Sequence, residues 1–449
     1  MREKTATTQT GAPWPSVTIH VLNWNGRALL ETCLPPLTRL DYPNFTIVLI
    51  DNGSEDDSVN WAKTNFPAIH IIQNETNLGF SRGMNVGLRR CREEIAVLLN
   101  TDVEVRPDWL KELVRPIAEN PAIGVTGAKL YFGDGRTLQH AGAMIEWPLG
   151  IGRHRFYREE DTGQANEMRD VDYVTGAAMA IARPVLEKIG FFDEDFTPFY
   201  YEETDFCLRA KAAGFRVVYA PRAVAIHHES LTFRQFDRPL FHNLQRNRLL
   251  FLLKHLPPDT FLRELPPAEK EFIISHNQAA ARHTMRQIYL EMMRRLPDVL
   301  AARGLESHAA AYQDTLAGLA ETAAALARRA AAQGEPPLMD ENPLAAKARV
   351  KIEPLQSAAP VIGPLVAALR NWWGNVAARW LLAGAFRQQN AFNRLTAVQW
   401  QMLDERLAEQ DRELVALTRQ LAELRLALRQ TQKRVRQLEA QLAPPEGEK

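Results

Sequence analysis

Cysteine is scarce in this chain, three among 449 residues. Cys33, Cys91 and Cys207 show no CxxC spacing. That argues against a disulfide framework and a thiolate zinc site, and it suits a reducing compartment. An excess of one charge is also missing, because 54 Lys+Arg balance 54 Asp+Glu. No global field attracts nucleic acid, so nucleic acid is not an expected partner and any anion site is local. Eighteen consecutive apolar residues occur nowhere, so no segment reads as membrane-spanning. Residues 1–15 are polar, lack the apolar core of a secretory signal and read as a disordered lead. The expected location is cytoplasmic.

What the chain does have is a regular alternation over its first hundred residues. Apolar runs at Val17–Leu22, Phe45–Ile50, Ala68–Gln73 and Ile95–Leu99 predict strands, with helices between them near 27–36, 55–66 and 78–90. That spacing predicts βαβ units and a parallel sheet. Three of the strands stop at Asn or Asp: Asn23, Asp51 and Asn100-Thr101-Asp102. Ligands in open α/β sheets bind beyond the carboxyl ends of the strands, so these side chains point to a nucleotide cleft. Further on, 123–129 predicts a strand and 130–170 a variable loop region near the substrate. Val171–Ile181 reads as strand-like, 199–213 as a helix ending at Gly214, and 215–219 and 223–226 as two strands.

Beyond residue 235 the composition changes. Leu249–Leu253, flanked by Arg246, Arg248 and Lys254, predicts either an amphipathic helix closing the core or a basic-apolar patch at a membrane surface. Residues 265–333 read as helical, and 361–385, with three tryptophans, suit an interface or a buried helix. From Leu403 to Leu442 apolar residues recur in alternating steps of four and three, interrupted by Gln410 and Thr431. That is a heptad seam and predicts a coiled coil of two or three strands over 396–442. The expected partition is a lead at 1–15, a catalytic domain at 16–255, a helical region at 256–390 and the coiled coil at 396–442.

The candidate chemistry lies at five places. Asp51, before Gly53, suits a base or ribose contact, but taken alone it reads first as a plain Asx turn. Asn77, Gly79 and Arg82 open a helix whose N–H groups and guanidinium suit a diphosphate. Asp102 suits Mg²⁺ or Mn²⁺, hard cations that often take one or two protein carboxylates and complete their shell with phosphate and water. Glu202, Glu203 and Asp205 gather carboxylates at a helix start, where the dipole tolerates them, behind Phe199, Tyr200 and Tyr201. His227 or His228 suits an imidazole donor to the same cation.

The segments VTIHVLNWNG, VLIDNGSEDDS, NLGFSRGMNVGL, LLNTDV, VTGAAMAIAR, FFDEDFTPFYYEETDFCLRAKAAGFRVVYAP and IHHES together resemble glycosyltransferase family 2. The likeness is greatest to its bacterial rhamnosyltransferase-like members, and it covers about 16–255. The resemblance implies a GT-A fold, an α/β Rossmann-like nucleotide-binding sheet, here followed by the helical region and coiled coil. It implies an inverting, metal-dependent transfer from a nucleoside-diphosphate sugar, UDP- or dTDP-linked, to a glycan or lipid-linked acceptor in cell-surface polysaccharide assembly. By position, Asp51, Asn77, Gly79, Arg82, Asn100 and Gly176 would bind the nucleotide sugar. Asp102 and His227 would hold Mg²⁺ or Mn²⁺, and Glu203 would be the base, where the family usually has Asp. Glu202, Asp205 and Tyr201 would support it or the acceptor. The implied partners are the donor, the acceptor, a second copy through the coiled coil, and the inner face of the membrane. The competing expectation is an inactive GT-A domain acting as a coiled-coil scaffold. A sugar-nucleotide pyrophosphorylase fits less well, because Asn23-Trp24-Asn25-Gly26-Arg27 is not a glycine-rich basic loop.

Overall fold

A computed structural model of the chain describes residues 14–228, 240–276, 278–332, 409–410 and 412–438. Two compact units result, Met1–Ala268 and Glu269–Lys449. The first unit opens with β1 (Val17–Asn23), α1 (Arg27–Leu37), β2 (Phe45–Asp51), α2 (Ser58–Asn65), β3 (His70–Gln73), α3 (Gly79–Leu88) and β4 (Ile95–Asn100). Here the predicted alternation is present. The four strands lie side by side as β4-β1-β2-β3, all parallel. Ile95 to Leu99 are all buried, as a strand covered on both faces requires. The register sets Asn23 beside Asp51, Asp51 beside Gln73, and Leu22 beside Asn100. The polar strand ends therefore share one edge.

The remaining half of the sheet departs from the parallel expectation. It contains β5 (Val103–Val105), α4 (Trp109–Glu119), β6 (Ile123–Tyr131), β7 (Leu138–His140), β8 (Ala143–Glu146), β9 (Ile151–His154), β10 (Arg169–Asp170), β11 (Ala178–Ala182), α5 (Arg183–Ile189), α6 (Glu202–Ala212) and β12 (Arg216–His227). β11 runs antiparallel to both β4 and β6, while β12 is parallel to β6. The sheet is therefore mixed. The predicted loop region at 130–170 instead carries β7, the β8–β9 hairpin and β10. Strands of two to four residues are too short to show a period, and their burial comes from neighbours distant in sequence. Of the strand-like 171–181 only the end, from Ala178 on, lies in a strand, β11. The two predicted strands at 215–226 are one, β12, with a register shift between Ala220 and Val224. Pro221 has no N–H to give the ladder, which suits it to that irregularity.

The helix α7 (Leu240–His255) decides the Leu249–Leu253 question. Leu249 to Leu253 are all at most 1% exposed, and Arg246 and Arg248 are buried with them. The membrane-patch reading of this segment is thus overturned. Its arginines satisfy backbone carbonyls inside the unit: Arg246 Nη1 donates to Asp195 O (3.1 Å) and Arg248 Nη1 to Leu149 O (2.9 Å). An unbroken apolar run cannot by itself tell a buried helix from a surface anchor, and here the core claimed it.

The second unit holds α9 (Ala279–Arg303) and α10 (Ala309–Ala332), while the preceding helix α8 (Leu265–Ser275) spans the division between the units. The Ala-rich prediction for 265–332 is met; 333–390, including 361–385, lies outside the described residues. Residues 412–438 are helical. Their seam leucines Leu414, Leu417, Leu421, Leu424, Leu428 and Leu438, with Val435, stay exposed, whereas Val415, Thr418 and Ala422 are buried. The parts of the predicted coiled coil at 396–408 and 439–442, and most of the lead, lie outside the described residues. No described helix is long and apolar enough to cross a membrane.

Candidate functional site

The carboxyl edge of the sheet borders a cleft of about 670 Å³. Of the expected residues, Asn77, Gly79, Asn100, Asp102, Gly176, Tyr201, Glu202, Glu203 and His227 line it; Asp51, Arg82 and Asp205 do not.

At the β2 end, Asp51 is 2% exposed. It accepts from Asn23 Nδ2 (3.0 Å) and from the Ser54 N–H (3.1 Å), so the Asx-turn alternative describes its contacts. Asn52 is the residue that reaches the cleft. Its Nδ2 donates to Asn77 Oδ1 (2.8 Å) and Gly79 O (3.1 Å), and its Oδ1 accepts from the Leu78 N–H (3.1 Å). It ties the β2 turn to the start of α3. Arg82 faces away, half exposed, with its Nε 3.6 Å from Glu194. Gly79 has φ +76°, and a Cβ there would come within 3.0 Å of Pro198 O.

Asp102 and His227 are brought together by strand pairing. β5 runs antiparallel to the end of β12 with Val103 opposite His227, and the His228 N–H donates to Asp102 O (2.9 Å). Asp102 Oδ1 is then 3.1 Å from His227 Nε2. The neighbouring His228 points instead to Glu104, at 3.5 Å. His227 Nδ1 lies 2.6 Å from Gln139 Oε1. An amide oxygen accepts only, so this contact calls for a proton on Nδ1; a cation in place of any proton between Nε2 and Asp102 Oδ1 would meet a lone pair from each. Two electron-rich atoms so placed suit a shared cation. No group of three or more His, Cys, Asp or Glu arranged for a metal exists among the described residues. Two protein donors fit a hard cation that takes phosphate and water for the rest.

The acidic helix start has a different character. Tyr200 and Tyr201 both have positive φ, +79° and +72°, a conformation that bulky side chains adopt only when held there. The holding contacts are visible. Asn247 Nδ2 on α7 donates to Phe199 O (2.9 Å) and Tyr200 O (3.0 Å), and Tyr201 Oη donates to Gly150 O (2.9 Å). The double turn brings both Glu202 and Glu203 to the cleft. The Oε2 atoms of both are buried without a hydrogen-bond partner. Burial raises the Glu203 carboxyl to about 7. Burial, and then the adjacent Glu203 charge, raise Glu202 as well. A Cβ on Gly176 would meet the Phe80 ring at 3.1 Å and lie 3.9 Å from Glu203 Cβ, so this glycine keeps space open beside the carboxyl group.

Asp205 plays no part in the cleft. It is 1% exposed and accepts from Arg209 Nε (2.7 Å) and His255 Nε2 (2.8 Å). Burial pushes its pKa up, but the His255 hydrogen bond and the Arg209 charge outweigh this and hold it below the usual range. It ties α6 to α7.

The sequence reading missed Asn52, Gln139, His140, His154, Tyr157 and Tyr173, all lining the cleft. His140 and His154 stand with ring centroids 4.7 Å apart. Burial, then the charge of His154, lower the His140 pKa well below its ordinary value, so that ring is neutral. Asn-Gly after a buried strand was a usable signal for Asn52. Nothing local marked the others: Gln139, His140 and His154 come from the short strands at 138–154, and Tyr157 and Tyr173 from the segments after them.

Residues 18–190 match the family described as "Glycosyl transferase family 2"; the match stops before α6 and His227. An uncharacterised protein of Sinorhizobium fredii is 34% identical over 47% of this chain and 24% of its own length. The O-antigen biosynthesis protein RfbC of Myxococcus xanthus is 31% identical over 49% of this chain and 18% of its own. The N-acetylglucosaminyl-diphospho-decaprenol L-rhamnosyltransferase of Mycobacterium tuberculosis is 24% identical over 45% and 72%. The chain thus spans a quarter or less of the first two relatives. The resemblance read from the motifs is met over residues 18–190, and the first unit has an α/β fold with a mixed sheet.

Proposed function

We propose, from the premise that residues 18–190 are a family 2 glycosyl transferase segment, that the chain moves a sugar from a nucleoside diphosphate to an acceptor hydroxyl, with inversion. One observation carries the reading: Glu203 keeps a buried, unpartnered carboxyl oxygen in the cleft that Asp102 and His227 also line. Glu203 takes the acceptor proton as that oxygen forms its bond to the anomeric carbon. The bond from the anomeric carbon to the diphosphate oxygen breaks with its electron pair on the leaving group. A positioned base of this kind contributes roughly 10²–10⁴-fold. Asp102 and His227 would hold Mg²⁺ or Mn²⁺, and the charge of such a cation would offset that of the departing diphosphate. Asn52, Asn77 and Gly79 form the nucleotide side, with Asn100 beside them and Gly176 near the sugar.

The donor is a UDP- or dTDP-sugar, and the acceptor a glycan or lipid-linked glycan of a cell-surface polysaccharide. Exposed Leu417, Leu424 and Leu428 suit pairing with a second copy of the chain. The protein works in the cytoplasm, at the inner membrane face when its acceptor is lipid-linked. The test is transfer and hydrolysis by the purified chain across a panel of nucleotide sugars, with Glu203→Gln as control. Turnover by Glu203→Gln at the wild-type rate overturns the base assignment. Failure of every nucleoside diphosphate to shift the melting temperature, with or without Mn²⁺, returns the chain to the scaffold reading.

A further inference from the structure

One buried residue of the cleft has no role in the transfer just described. Gln139, on β7, is 5% exposed, and its Oε1 sits 2.6 Å from His227 Nδ1. Its backbone is fixed independently. β7 pairs with β6 through Leu130–His140 and Tyr131–Leu138, and the Gln139 carbonyl lies 3.2 Å from His154 Nδ1. The side chain therefore starts from a held strand, and its burial limits water as a competitor for Nδ1.

We propose that Gln139 is a positioning residue that fixes the rotation and tautomer of His227, so that Nε2 and Asp102 Oδ1 present paired lone pairs to a divalent cation. The inference rests on the metal assignment made above for Asp102 and His227. An imidazole without a fixed partner on Nδ1 divides its proton between two nitrogens and turns about its Cβ–Cγ bond; an acceptor on Nδ1 removes both freedoms. The reverse amide orientation, with Gln139 donating to Nδ1, would put the proton on Nε2. His227 would then simply donate to Asp102, and the pair would offer no imidazole donor to a metal.

The experiment is a titration of the full-length protein with Mn²⁺ alone, free ion being read by its paramagnetic resonance signal, with folding checked by thermal melting. The unmodified chain is expected to bind saturably and Asp102→Asn to lose that binding. Gln139→Leu is expected to weaken it about 10–100-fold, the usual cost of removing such a partner. Gln139→Glu keeps an oxygen acceptor on Nδ1 and is expected to hold at least the wild-type affinity; a merely space-filling role predicts no such rescue. If Gln139→Leu does not melt cooperatively, Gln139→Met, unbranched and of similar length, replaces it. Equal Mn²⁺ affinity in the unmodified chain and the apolar variant overturns the role of Gln139 and leaves the metal assignment standing. Absence of saturable binding in the unmodified chain overturns both.

Discussion

Asp102 shares the cleft with Glu202 and Glu203, yet the three carboxyl groups live under different conditions. Asp102 has an imidazole nitrogen at 3.1 Å. Glu202 and Glu203 each enclose an oxygen that no donor reaches. Asp205, less than a turn beyond Glu203, is more deeply buried than Glu202 and is nevertheless paired on both oxygens. The difference teaches that burial alone does not set the fate of an acid. Burial with donors lowers the pKa and makes a structural tie, as at Asp205. Burial without them raises it and leaves a group ready to exchange a proton near neutrality, as at Glu203.

Substitutions can break this contrast or sharpen it. The largest effect is expected at Glu203. Glu203→Gln should lower transfer by roughly 10²–10⁴-fold while nucleotide affinity, measured by calorimetry, changes little. Asp102→Asn follows, with about a 10²-fold loss of turnover and no stimulation by added Mn²⁺. Asp205→Ala breaks the contrast from the other side. It strands Arg209 and His255, and is expected to cost roughly 3 kcal/mol of stability, read as a lower urea midpoint.

Smaller still is the pH dependence. Glu203 must be ionised to accept a proton, so turnover should rise with pH up to a bend near 7 rather than near the ordinary glutamate value of about 4.3. Stability runs the other way. With the folded pKa above the unfolded one, the native state binds more protons between about 4.3 and 7. Stability is therefore lost as pH rises through that window, and Glu203→Gln should flatten the fall in melting temperature from pH 5 to 8. The smallest effect is expected at Arg82. It stands half exposed beside Glu194, so Arg82→Ala should leave turnover within about threefold, the range of a weak surface pair.

β1, β2 and β4 were legible because each is a long enough apolar run to show its class and ends in Asn or Asp, while the short β3 was legible only from its place in the alternation. Leu98-Leu99-Asn100 reads as a strand and its end with no other information. β11 was only partly legible: Val174 to Ala177 carry strand-like residues but pass the cleft in turns, and the pairing begins at Ala178. The region 138–154 was not legible at all. Gln139 and His140 belong to a three-residue strand that is buried by β6 and by neighbours far along the chain. Arg246 and Arg248 misled for a related reason. Arginine in a sequence suggests water, and only the carbonyls of Asp195 and Leu149 reveal why these two are buried.

The sequence by itself determined the βαβ alternation, the polar strand ends, the acidic helix start and the heptad seam. All are local patterns of side-chain type whose physics acts over a few residues. Only the tertiary structure decided which carboxylates meet the cleft and in what state. It turned Glu202 and Glu203 inward through two left-handed tyrosines, withdrew Asp205 into an ion pair, sent Arg82 outward, and set His227 rather than His228 beside Asp102 through the pairing of β5 with β12. Proton affinity and cation binding depend on distances between groups far apart in the chain, and those distances exist only after folding.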